Sequence, residues 1–144
     1  MNWEDFDFID FYLKLNCKFT DDEKEECVSV ANKMEGICKY GRQKGLLALE
    51  DIAKDESDIF LKTGLYLCVN GTHPSDMTHI LQLMILGDES TGVKLLSELL
   101  IMHGLQSLMM GVNPRLVKIA LFSLLGEKYL EQEKLILYTL EESK

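Results

Sequence analysis

Two segments of the sequence, forty residues apart, share one spacing of glycine, proline and leucine. They cover residues 64–81 and 104–121. Each begins with Gly-Leu, has a second glycine seven residues on, a proline three further, and a leucine seven after the proline. Glycine readily adopts the left-handed conformation that ends a helix, and proline suits the first turn of the next helix. Each segment therefore predicts a helix–Gly–cap–Pro–helix hairpin.

The repeat assigns the turn residues of both hairpins. They are Gly71, Pro74, Gly111, Asn113 and Pro114. Asn113 is the N-cap of the second hairpin, whereas Thr72 and His73 are alternatives in the first. Two copies are too few for a solenoid. The pattern is either a true internal repeat or only a result of the shared requirements of tight helix–helix turns.

Apolar residues at helical spacing predict further helices over 3–15, 20–39, 42–54, 91–110 and 127–142. The alternation Phe6-Asp7-Phe8 leaves a strand as the alternative for the first of these. Thr20 and Glu23 form a capping box at the start of the second, and Gly41 is expected to end it.

The fold class follows from these helices. There are only two prolines and no long alternating run of the kind that marks a strand. We therefore predict an all-α fold: a compact bundle of about six to eight short helices with no sheet. A chain of 144 residues is one domain at roughly 100–200 residues per domain. It divides into acidic N-terminal helices (1–40), a central segment (41–126) and a C-terminal helix (127–144).

Charge narrows the choice of partner. Acids number 24 and bases 15, giving a net charge of −9. That balance argues against unaided binding to nucleic acid or to anionic lipid, both of which require a basic face. Residues 1–58 hold 15 acids and 8 bases, while residues 59–144 hold 9 and 7. The acidic half either meets a basic partner or is a solvated face that keeps the protein soluble.

The sequence indicates a cytoplasmic protein. Residues 1–10 lack the basic region of a signal peptide, and no apolar run approaches the roughly 18 residues that cross a bilayer. The four cysteines form no CxxC motif or Cys/His cluster, so we expect reduced thiols and no zinc site. They are Cys17, Cys27, Cys38 and Cys68.

No motif predicts catalysis, so we expect a protein that is not an enzyme and has no catalytic residue, metal or cofactor. The spacing of His73, His79 and His103 does not suit a metal site on one helix. No serine lies in a nucleophile elbow, and residues 41–45 lack the spacing of a phosphate loop. The methionines at helical spacing are interpreted as core residues: Met77, Met84, Met102, Met109 and Met110.

Two blocks resemble a known family. Residues 41–50, GRQKGLLALE, are similar to the start of the cytoplasmic loop of the MotA flagellar stator subunit family (MotA/TolQ/ExbB-like). The segments DIFL, GL and VNGT at 58–72 and GLQSL with GVNPR at 104–115 follow in the family's order. The resemblance covers about residues 37–126. Asn70 stands where the family usually has Asp, and the family's membrane helices are absent.

The resemblance implies the cytoplasmic part of a stator subunit without ion conduction. In the family, the residues that match Arg42 and Glu50 face the rotor protein FliG and act by charge. On one helix these positions would be separated by about 12 Å of rise and about 80° of rotation. They would then share a protein-binding face that Lys44 and Asp51 extend. The alternative is that these are solvated helix charges with no partner.

Two other functions remain open. One is a self-associating scaffold or regulatory protein with no motor role. A homo-oligomer of this kind would use the aromatic residues of the N-terminal segment, which are Trp3, Phe6, Phe8 and Phe11. The other is a small-ligand or catalytic domain in the helical core, for which the sequence offers no support beyond its size.

Overall fold

The computed structural model describes residues 17–135, so the helix predicted at 3–15 lies outside the described residues. The described range is helical throughout and contains no strand, which confirms the all-α fold. The helices are α1 (Asp21–Glu26), α2 (Val28–Lys44), α3 (Leu49–Asp55), α4 (Ile59–Val69), α5 (Pro74–Gly87), α6 (Gly92–Met109), α7 (Pro114–Leu125) and α8 (Glu127–Gln132), with a short 3-10 helix at Leu46–Ala48. None of these helices combines the length and apolar character needed to cross a bilayer.

The first helix starts at the predicted capping box. The Glu23 backbone N–H donates to Thr20 Oγ1 at 3.1 Å. In return, the Thr20 N–H donates to Glu23 Oε1 at 2.9 Å. Two otherwise unsatisfied donors are thereby paired, which stabilises the helix start. A single residue, Cys27, separates α1 from α2.

The two predicted hairpins are present as α4–α5 and α6–α7. Gly71 has φ +71° and Gly111 has φ +74°, both in the left-handed region. In each turn, the N–H groups of the glycine and of the next residue donate to carbonyls of the preceding helix at 3.0–3.1 Å. This Schellman arrangement satisfies the helix end within six residues of chain. The sequence repeat therefore corresponds to two turns with the same backbone geometry.

Both hairpins also cap their second helix in the same way. Asn113 Oδ1 accepts from the Arg115 backbone N–H at 2.9 Å. His73 Nδ1 accepts from the Ser75 N–H at 3.2 Å, so His73 is the cap of the first hairpin. A proline follows each cap as the first helical residue, where its missing N–H leaves nothing unsatisfied.

Helix α6 is the centre of the fold. Eleven of its eighteen residues are buried, and it packs against α1, α2, α4, α5 and α7. Gly104 lets α2 approach closely, because a Cβ there would lie 3.0 Å from Met34 Cε. Its repeat partner Gly64 on α4 packs just as tightly on Leu105. The Gly-Leu pair that opens each repeat therefore marks a close helix–helix contact.

The predicted boundary between the second and third helices is wrong. Gly41 lies inside α2, where it is buried against Leu108 and Leu49. The helix continues to Lys44 and ends at Gly45, whose φ of +93° takes the chain out of the helical conformation. The single helix predicted over 42–54 is consequently divided between the end of α2, the 3-10 helix and α3.

The last predicted helix is also shorter than expected. Gly126 separates α7 from α8 as predicted, but α8 ends at Gln132 and not near residue 142. Lys134 adopts φ +55°, and the Leu135 N–H donates back to Leu130 O at 2.8 Å. Burial of the Leu135 side chain favours this turn over a continued helix. Residues 136–144 lie outside the described range.

Candidate functional site

The candidate site lies at one end of the bundle, where the turn after α2 meets the turn between α6 and α7. A groove of about 190 Å³ runs between the two turns. Its lining is mostly apolar: Gly41, Gly45, Leu46, Leu108, Met109 and Val112, with Arg42 and Gly111 at the edge. The turns therefore create a surface depression that neither has by itself.

The groove depends on Gly41 within α2 and on Gly45 at the C-cap of that helix. Gly41 has no side chain, so Leu108 of α6 packs directly on the α2 backbone: a Cβ at Gly41 would be 3.0 Å from Leu108 Cδ1. Gly45 then turns the chain so that Leu46 faces the groove. The absence of a side chain at Gly41 brings the two chain segments together, whereas Gly45 acts through its positive φ.

Arg42 connects the two turns. Its Nη1 donates to the Gly111 carbonyl oxygen at 3.2 Å. The side chain remains exposed, so the guanidinium lies on the rim of the groove and retains donors that face solvent. The two sequence blocks on which the family resemblance depends are therefore in contact in this structure.

The four predicted protein-binding residues are all exposed, but they do not lie on one helix. Arg42 and Lys44 belong to the last turn of α2, whereas Glu50 and Asp51 belong to the first turn of α3. The separation calculated for one continuous helix does not apply, because Gly45 interrupts it. Basic residues at a helix C-terminus and acidic residues at a helix N-terminus also complement the helix dipoles.

Two exposed apolar residues directly follow lining residues of the groove in sequence. Leu47, in the 3-10 helix, is 76% exposed, and Met110, at the end of α6, is 65% exposed. The sequence analysis missed Leu47 and wrongly assigned Met110 to the core. A signal was available for Leu47: three leucines within residues 46–49 cannot all face one core. For Met110, the signal was its place next to the turn glycine.

The described residues contain no candidate metal centre. No group of three His, Cys, Asp or Glu side chains within 17–135 is arranged to hold a metal ion. Cys27, Cys38 and Cys68 are buried thiols of the core. His73 serves as a helix cap.

Comparisons with protein-family models, with curated proteins and with solved structures found no match to this chain.

Proposed function

We propose that this chain is a non-enzymatic protein-interaction domain that binds its partner at the groove beside Arg42. One observation carries the proposal: an apolar groove opens at the surface where two turns meet, and the exposed Leu47 and Met110 directly follow its lining residues Leu46 and Met109 in sequence. Single exposed apolar residues are common on protein surfaces, but a contiguous apolar patch with a polar rim is typical of a binding site.

The energetics favour contact with an apolar side chain of a partner. Fully burying a leucine or methionine side chain contributes about 1.5–3 kcal/mol. Burial of Leu47 and Met110 by a partner would therefore contribute several kcal/mol to the free energy of binding. The groove is small, which suits one inserted side chain and not a drug-sized ligand.

The charges beside the groove would orient the partner. Arg42 and Lys44 lie on one side of the Gly45 turn, and Glu50 and Asp51 follow on the other. Exposed charges of this kind contribute to orientation and association rate more than to affinity. A partner with the opposite arrangement of charge would dock in one register.

We further propose a rotor protein of the FliG type as the partner, in keeping with the stator-like resemblance. Support comes from the contact between the two resembling blocks, made by Arg42 and Gly111. Binding of this kind needs no ion-conducting part. The chain would then act as a soluble adaptor or competitor at the motor.

The test is a low-salt titration of the full chain against the rotor protein of the same organism. We expect Arg42→Glu and Glu50→Lys each to weaken binding several-fold, and added salt to weaken it further. Lys128→Glu, at an exposed position on α8, is the matched control for a change of charge. Absence of binding by the folded wild-type chain would overturn the rotor proposal.

The groove itself is tested separately from the choice of partner. Leu47→Asp should abolish binding, because it places a charge in the apolar contact. Leu83→Asp, at a leucine that is 54% exposed on α5, should leave binding unchanged. If the two variants weaken binding equally, the groove is not the binding site. If light scattering instead shows self-association that Leu47→Asp abolishes, the partner is a second copy of this chain.

A further inference from the structure

A second cleft, whose lining is mostly charged and not apolar, lies where α2, α7 and the turn after α8 meet. Its volume is about 380 Å³. Six charged side chains line it: Lys39, Arg115, Lys118, Lys134, Glu35 and Glu133. Four cations against two carboxylates give a local excess of positive charge in a chain whose net charge is −9.

One of the two carboxylates, that of Glu35, already forms ion pairs with two of the cations. Glu35 bonds Lys39 within α2 at 2.8 Å and Lys118 across to α7 at 3.4 Å. The Glu35 side chain is only 12% exposed, so this ion pair lies in the wall of the cleft and connects the two helices. Among the described residues, Arg115 and Lys134 form no ion pair.

The excess of cations is unfavourable for an empty cleft, since like charges on its walls repel one another. An acidic chain also repels anions from most of its surface, whereas in a basic cleft an anion gains from the local field. We propose that this cleft binds a small phosphate-bearing molecule with at least two negative charges.

The side chains suit that ligand. The planar guanidinium of Arg115 matches two phosphate oxygens at once, while Lys134 acts as a point charge. The volume lies at the lower end of the range for small-molecule sites. Leu135 adds an apolar wall on which an uncharged part of the ligand can pack.

Inorganic pyrophosphate is the probe, titrated calorimetrically into the full chain at low ionic strength. Sodium chloride at equal ionic strength controls for general screening. We expect Arg115→Gln and Lys134→Gln each to weaken binding at least fivefold. Lys54→Gln removes one exposed positive charge from α3 and should leave binding unchanged.

Glu35→Gln should have the opposite effect on pyrophosphate binding. Loss of this carboxylate releases Lys39 and Lys118 for the ligand, so binding should tighten several-fold. A purely structural role of the ion pairs would not produce that gain. Weakening by Lys54→Gln equal to that by Arg115→Gln, or no binding of pyrophosphate beyond the chloride control, would overturn the proposal. Neither result bears on the groove, which uses different residues.

Discussion

Glu98 is the residue whose position in the core most needs an explanation. It lies in the middle of α6 and is 3% exposed, as is Gln82 on the neighbouring α5. Glu98 Oε1 and both polar atoms of the Gln82 amide make no hydrogen bond within the described part of the chain. Buried polar atoms without partners destabilise a fold by about 1–3 kcal/mol each.

The charge state of Glu98 is set by its surroundings. Burial raises the pKa of the Glu98 carboxyl above its ordinary value, and the Lys94 ammonium only partly offsets this. The carboxylates of Asp88 and Asp58 raise the pKa further. Lys94 is itself paired with Asp88 at 3.4 Å, which limits its help to Glu98.

Glu98→Gln should therefore stabilise the protein at neutral pH, because the amide has no charge to desolvate. The folded state holds the Glu98 proton more tightly than the unfolded state does. Wild-type stability consequently falls as pH rises from the ordinary carboxyl range through the raised pKa, and the variant lacks that loss. Urea denaturation at pH 4, 5.5 and 7 measures the difference between the two proteins.

The gap between variant and wild type should be smallest at pH 4. Glu131→Gln, at an exposed position on α8, is the control and should show no such trend. A gap that is constant across pH would mean that the gain comes from packing and not from ionisation.

At the scale of whole helices, four helix ends use the same termination. In each, a residue in the left-handed region follows the helix, and the next N–H donates back into the last turn. Glycine fills this position after α4 and α6. After α5 and α8, the position is held by Glu89 with φ +50° and Lys134 with φ +55°. A side chain makes this conformation unfavourable by about 1–2 kcal/mol per residue.

Glu89→Gly should increase the stability of the α5–α6 hairpin. We expect a gain of about 1 kcal/mol in the free energy of unfolding, reduced slightly by the greater freedom of glycine in the unfolded chain. For a chain of this size the melting temperature should rise by roughly 2–4 °C. Glu89→Ala removes the same charge but keeps Cβ, so calorimetry should find it close to wild type. A gain from alanine equal to that from glycine would attribute the effect to charge.

At the scale of the molecule, three buried thiols report on whether the chain unfolds as one unit. Cys27 Sγ lies 3.7 Å from the Val93 carbonyl oxygen of α6, and Cys38 Sγ lies 3.5 Å from that of Gly104. Cys68 belongs to the first hairpin. Burial raises the pKa of Cys38 and Cys68 to about 12 and that of Cys27 to about 11. The thiolate, which is the reactive form, is therefore scarce in the folded state.

Alkylation of these thiols should require unfolding. At neutral pH we expect each to react at least about a thousandfold more slowly than in the denatured chain, given typical domain stabilities. If residues 17–135 form a single cooperative domain, iodoacetamide labelling followed by mass spectrometry will give one common rate. Faster labelling of Cys68 would instead mean that the α4–α5 hairpin opens independently.

The capping box and the hairpin turns were predictable from the sequence for a local reason. Each of these features is completed by hydrogen bonds between residues at most six positions apart, as at Thr20 and Glu23 or around Gly71 and Gly111. Local features of this kind need no tertiary contact to form. The all-α fold followed from them together with the helical period of the apolar residues.

What the sequence by itself determined was the identity of these turns and of the charged residues near Gly45. Only the tertiary structure decided that Gly41 continues α2, because the space for that glycine is defined by Leu108 on a distant part of the chain. The same holds for the groove, whose walls come from both turns, and for the exposure of Leu47 and Met110. Burial depends on which segments pack together, and that packing is a property of the whole chain and not of any local window of sequence.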